Sequence, residues 1–201
     1  RYSGAGSGEA PLHKLGSGQW EKVCRKAKSR ITDVAAEILE IYAKREMQSG
    51  RIISANDDSY SVFSDQFDYE ETVDQESAIQ EVINDLQSGK PMDRLICGDV
   101  GFGKTEVAMR AIFLAVNSGY QVAVLVPTTL LARQHYETFC TRFSGWPINI
   151  AKLSRLQSRT VASDVRNDIA VGTVDVVVGT QKLLNSELNF NNYNQISEKL
   201  I

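Results

Sequence analysis

Residues 98–105 read Gly98-Asp99-Val100-Gly101-Phe102-Gly103-Lys104-Thr105, a complete G-x-x-x-x-G-K-T phosphate-binding loop. The stretch before it, Arg94-Leu95-Ile96-Cys97, has the character of a short buried strand. From Thr105 to Val116 the chain carries good helix formers, with Val107, Ala108, Ala111, Ile112 and Ala115 at helical spacing. Strand, glycine loop and helix in that order are the context the motif requires. Glycines at 98, 101 and 103 let several backbone N–H groups converge on one anion, and the positive end of the following helix faces the same point. Lys104 is placed to reach β- and γ-phosphates, and the Thr105 hydroxyl to ligate magnesium. The eight residues together predict a nucleoside-triphosphate site with Lys104 and Thr105 as its catalytic pair.

Outward from the loop, the pattern alternates. A helix is predicted over 72–86, a strand over 121–126, a helix carrying Leu130, Leu131, His135, Phe139 and Phe143, a strand over 148–153, a helix over 158–171 and a strand over 174–178. Apolar strands alternating with helices imply an α/β fold in which helices cover both faces of a parallel sheet. Upstream, residues 1–19 are rich in Gly and Ser and read as an irregular lead-in. Val23, Ala27, Ile31, Val34, Ala35, Ile38, Leu39 and Tyr42 then form one apolar stripe, predicting a helix from Trp20 to Met47 about 40 Å long at ~1.5 Å per residue. A loop or short hairpin follows over 49–71, with Tyr60-Ser61-Val62-Phe63 a candidate strand. The expected division is 1–19 lead-in, 20–66 linker and 67–201 nucleotide-binding lobe.

The 201 residues, 42% hydrophobic and 23% charged, suit a soluble protein with a core. No apolar run is long enough to span a membrane and no signal-peptide stretch opens the chain, so a cytoplasmic protein is expected. Cys24, Cys97 and Cys140 are far apart and without metal-ligand spacing; they read as reduced thiols, Cys97 in the core. A net charge of −3 argues against a general polyanion binder but leaves room for a local basic track. The basic run from Lys22 to Arg30 and the acidic run from Asp57 to Glu76 read as solvated surface. No apolar run ends in the Asp-Asp or Asp-Glu that ATP hydrolysis ordinarily uses; 174–178 ends in Gly179-Thr180. The expectation is that Leu200-Ile201 begins the strand bearing those acids, and that the chain as written hydrolyses ATP very slowly.

Three blocks now align with a family. Residues 98–111, Val126-Pro127-Thr128-Thr129-Leu130-Leu131-Ala132-Arg133-Gln134-His135 and Val178-Gly179-Thr180-Gln181-Lys182-Leu183-Leu184 resemble the superfamily-two helicases and translocases. More narrowly they are similar to the bacterial transcription-repair coupling factors, as is Pro11-Leu12-His13-Lys14-Leu15-Gly16 with the long helix after it. The sequence departs from that pattern at Val73, where the family has proline, and at Gln181, where it has histidine. The resemblance implies a RecA-like motor lobe using ATP and Mg2+ and preceded by a helical linker. It also implies a parent protein that walks on double-stranded DNA, displaces stalled RNA polymerase and recruits excision-repair proteins. It assigns Gln75 to adenine, although Thr72-x-x-Gln75 is equally a helix capping box; Phe67 or Tyr69 would lie against the base, or equally in the core. By the same likeness Thr128, Arg133, Ser154, Arg155, Thr180 and Lys182 line a DNA track. The alternatives are the first lobe of a junction-remodelling or replication-restart helicase, a non-motor kinase or GTPase, and an interaction module with a vestigial loop. An Asn-Lys-x-Asp guanine signature is absent.

Overall fold

The computed structural model describes residues 18–54, 58–184, 188–190 and 197–199. Most of the lead-in, the 11–16 segment and Leu200-Ile201 lie outside them. The chain divides into two units, Arg1–Gln48 and Ser49–Ile201.

In the first unit, helix α1 (Gln19–Glu46) matches the predicted helix to within a residue at each end. Gly18 starts it with a φ of 65°, a left-handed conformation that glycine adopts without steric cost. Glu21 lies in its first turn and Lys44 and Arg45 in its last, each charge opposing the helix dipole. Glu40 and Lys44 add an i,i+4 ion pair at 2.7 Å. Trp20, which the sequence suggests as a packing residue, is 64% exposed.

The second unit runs α2 (Asp58–Asp65), α3 (Val73–Gln87), α4 (Lys104–Asn117), β1 (Val122–Leu125), α5 (Thr129–Arg142), β2 (Ile150–Leu153), α6 (Arg159–Val171), β3 (Val176–Gly179), a 3-10 turn (Gln181–Leu184) and β4 (Ser197–Lys199). The strands form a parallel sheet in the order β2-β3-β1-β4, with Val122 beside Val176 and Ile150 also beside Val176. Alternation along β3 serves both faces. Val176 and Val178 join Val122, Val124 and Val126 beneath α2, α3, α4 and α5. Val177 meets Leu153, Ala162, Ile169 and Leu183 on the α6 side. The sheet is therefore buried on both faces, as its unbroken valine run requires. Gln121 is buried where the layers meet, and its amide donates to the carbonyls of Ile169 (3.0 Å) and Val174 (2.7 Å).

Two local expectations are corrected. Tyr60-Ser61-Val62-Phe63 is helix, not strand. Period-two alternation would turn Tyr60 and Val62 to one face, but the structure buries Phe63, half-buries Tyr60 and leaves Val62 exposed, an i,i+3 pattern. Residues 49–66 consequently belong with the second unit rather than with the linker. Phe63 stacks on Phe113 and Phe143, with ring centroids 4.3 and 5.2 Å away, and meets Trp146 edge-on. Residues 94–97 form no strand. Strands exist through their ladders, and no ladder among the described residues reaches them: β4 takes the free edge of β1. Leu95 and Cys97 are exposed, and Arg94 is held instead against α3 by Asp85 and Glu81.

Candidate functional site

The loop from Gly98 to Gly103 leads directly into α4, whose first residues are Lys104 and Thr105. Gly103 caps the helix at φ 70° and Gly101 sits at φ 88°, so both require glycine. No side chain caps α4. Its leading N–H groups are thus the orphan donors that every helix start presents, with the helix dipole behind them. Lys104 folds back over the loop, donating to the carbonyl oxygens of Gly98 (2.5 Å) and Asp99 (2.8 Å). Val100 and Phe102 point outward. A flexible cation within reach of a glycine-lined cradle, with a helix start beside it, is a donor set suited to a triphosphate.

Gln75 meets this loop from α3. Thr72 Oγ1 accepts from Gln75 N (3.3 Å) and Gln75 Oε1 accepts from Thr72 N (2.9 Å), a complete capping box. Gln75 Nε2 donates to the carbonyl of Phe102 at 2.8 Å. The same amide therefore caps α3 and grips the phosphate loop.

Behind the loop lies a charged cluster inside the protein. Glu106 and Arg110 of α4 are 4% and 1% exposed. Arg110 Nε donates to Glu106 at 2.7 Å, and its terminal nitrogens donate to Ser64 and to the carboxylate of Glu71. Arg142 of α5 donates to Glu106 at 2.8 and 3.2 Å and to the carbonyl of Phe63 at 2.8 Å. The Arg142 guanidinium lies 3.9 Å from the centre of the Phe63 ring. Two cations facing two carboxylates, with most donors used, satisfy the condition for burying charge. Burial raises the Tyr60 phenol above its ordinary value, while the Arg110 guanidinium, which favours the phenolate, opposes the rise.

Beside the cluster opens a cleft of about 750 Å3 lined by Phe67, Tyr69, Glu106, Met109, Thr141 and Arg142, among others. That volume is in the range of small-ligand sites. Phe67 and Tyr69 meet edge to face at 5.6 Å on its rim.

The candidate track residues separate into two kinds. All pairings in the sheet are parallel, so the chain leaves β1, β2 and β3 at one sheet edge, where open α/β sheets commonly bind ligands. Thr128, Ser154, Arg155, Thr180 and Lys182 all lie just past those strand ends. Thr128 caps α5 through Leu131 N (3.2 Å), and Lys182 reaches the carbonyl of Ser154 (3.4 Å). Ser154 and Thr180 are buried and Arg155 exposed. Arg133 stands apart on α5, paired with Glu137 at 2.7 Å.

Against this geometry stand the comparisons. Residues 72–200 match the family model of the DEAD/DEAH box helicases. The chain belongs to that family. Transcription-repair-coupling factors of Haemophilus influenzae and Escherichia coli are 52% and 49% identical to it, over 95% and 94% of the chain. That of Bacillus subtilis is 45% identical over 94% of it. The chain spans 17% of the length of the first two relatives and 16% of the third. A solved structure of RecG bound to a three-way DNA junction shares its fold at a TM-score of 0.71 and 35% identity, covering 76% of this chain and 21% of that one. The parallel sheet and its helices are thus a RecA-like helicase lobe.

Sequence reasoning missed the charged cluster behind the loop. Glu71 fell within an acidic run read as solvated surface, and Glu106, Arg110 and Arg142 drew no notice. The signal was present: Glu106 and Arg110 are an i,i+4 ion pair in a helix otherwise apolar on every side from Val107 to Ala115. Charge at such positions has to find partners indoors.

Proposed function

We propose that this chain is the nucleotide-binding lobe of an ATP-dependent motor on double-stranded DNA. The observation that carries the reading is the complete loop 98–105 opening an uncapped helix, with Lys104 poised over it. Gly98 to Gly103 would cradle the phosphates of ATP, Lys104 would exchange two carbonyl contacts for phosphate oxygens, and Thr105 would ligate Mg2+. The bound nucleotide supplies the phosphoanhydride energy. The adenine goes to the cleft beside Phe67 and Tyr69, and Gln75, in the first turn of the helix that follows them, would contact it. At the shared strand edge, Thr128, Ser154, Arg155, Thr180 and Lys182 would follow a DNA backbone, and Arg133 would join them from α5. Phosphate contacts of this kind make binding salt-dependent and nearly indifferent to sequence. The parent would displace stalled RNA polymerase and bring in excision-repair proteins, a reading supported by 52% and 49% identity to coupling factors over 95% and 94% of this chain. Within it, helix α1 serves as the linker toward the polymerase-binding part.

A direct test uses the full-length protein. ATP turnover stimulated by double-stranded DNA, and release of a stalled polymerase, should both vanish in Lys104→Ala; retained nucleotide affinity and release in that variant would remove the reading. A junction-remodelling helicase is the second reading, supported by the fold shared with RecG on its DNA junction. Unwinding of a three-way junction without polymerase release would favour it.

A further inference from the structure

We propose that Arg110 is a positioning residue that fixes the span between the phosphate loop and the strip of chain receiving the nucleotide base. The inference rests on the reading that 98–105 holds a triphosphate and that the Phe67–Tyr69 cleft takes the base.

Arg110 sits on α4, the helix whose first residue is Lys104, so its place is rigidly tied to the loop. From there its guanidinium reaches Ser64 and Glu71, the two ends of the stretch that carries Phe67 and Tyr69. Its centre lies 5.9 Å from the Phe67 ring centroid. Glu71 immediately precedes Thr72, which caps α3 together with Gln75. Gln75 then returns to the loop at the carbonyl of Phe102. Loop, α4, Arg110, Glu71, the Thr72–Gln75 cap and the loop again make a closed circuit, with the cleft inside its reach.

Stability alone gives little reason for this design. A well-packed apolar substitute for buried ion pairs is often as stable or more so. A planar fork with fixed donor directions, however, holds two chain segments at one distance and one angle. Glu106 and Arg142 lock the fork from the other side, through α4 and α5. The circuit therefore serves molecules that touch both of its ends at once, and ATP does. Tripolyphosphate touches only the loop.

The test compares ATP with tripolyphosphate in the full-length protein and in Arg110→Met and Glu71→Ala, by calorimetric binding, ATP steady-state kinetics and thermal melting. ATP affinity should fall by about tenfold or more, equal to about 1.4 kcal/mol, and KM for ATP should rise in parallel. Tripolyphosphate affinity and kcat should stay within about twofold of the parent. An unchanged ratio of the two affinities, whether or not the melting temperature drops, overturns the proposal by reducing Arg110 to a structural ion pair. Should Arg110→Met fail to fold, Glu71→Ala carries the test on the same criteria, since Glu71 is partly exposed and Arg110 keeps Glu106 and Ser64. If the parent protein binds neither ligand, the nucleotide reading itself falls and the proposal with it.

Discussion

Gln75 donates its side-chain amide to the carbonyl of Phe102 at 2.8 Å, and so joins the first turn of α3 to the last turn of the phosphate loop. The contact is close because nothing but hydrogen stands on Gly103. A Cβ built there would lie 2.2 Å from Gln75 Nε2.

Gly103→Ala should therefore act twice. The left-handed φ of 70° strains any other residue by about 1 kcal/mol, and the added methyl must expel the Gln75 amide. We expect the urea midpoint to shift down by an amount equivalent to about 1–2 kcal/mol, with ATP affinity reduced at least about tenfold. Wild-type nucleotide affinity in this variant would show that the Gln75 contact is dispensable to the loop.

What the sequence conveyed best were features decided locally. The loop, the capping box at Thr72 and the valine strands follow from spacing and residue type alone. What it concealed depends on distant partners. Residues 94–97 have a strand's composition, yet a strand needs a neighbour, and composition does not supply one. Tyr60 to Phe63 has aromatic and β-branched content that suits either state; only the stacking of Phe63 on Phe113, 50 positions away, decides for helix. The Arg110 cluster joins four segments, so no single window of sequence contains it.

Phe63 is the pivot of the α2 contact. It is fully buried, stacked on two phenylalanines and covered by the Arg142 guanidinium. Phe63→Ala should cost about 3–5 kcal/mol, measured by urea unfolding of the full-length protein. A loss below about 1 kcal/mol would mean that α2 is not docked as described.

The proposed track residues differ in how much of their charge remains to be used. Arg133 already neutralises Glu137 on an exposed helix face, whereas exposed Arg155 follows the end of β2. Arg155→Ala should weaken DNA binding equally across sequences and lower the slope of log affinity against log salt by about 1. Arg133→Ala should lower it less. Titrations at several salt concentrations read both; an unaltered slope in Arg155→Ala would remove that residue from the track.

His135 offers a pH test of the α5 packing. Its ring lies 5.9 Å from that of Phe139, and burial lowers its pKa below the ordinary 6.5 because the cationic form is poorly solvated there. The folded state thus binds this proton less readily than the unfolded chain. Above about pH 6.5 both states are neutral at this site and it contributes no slope. As pH falls below that value the unfolded chain takes up the proton first, so stability declines until the folded-state pKa is passed. His135→Gln removes the group, and its unfolding free energy should decline less steeply than the wild type's between about pH 7 and pH 5. Chemical denaturation at half-unit pH intervals measures the difference. Parallel curves for the two proteins would mean that the imidazole is as well solvated in the fold as in the open chain, and that α5 does not pack over it.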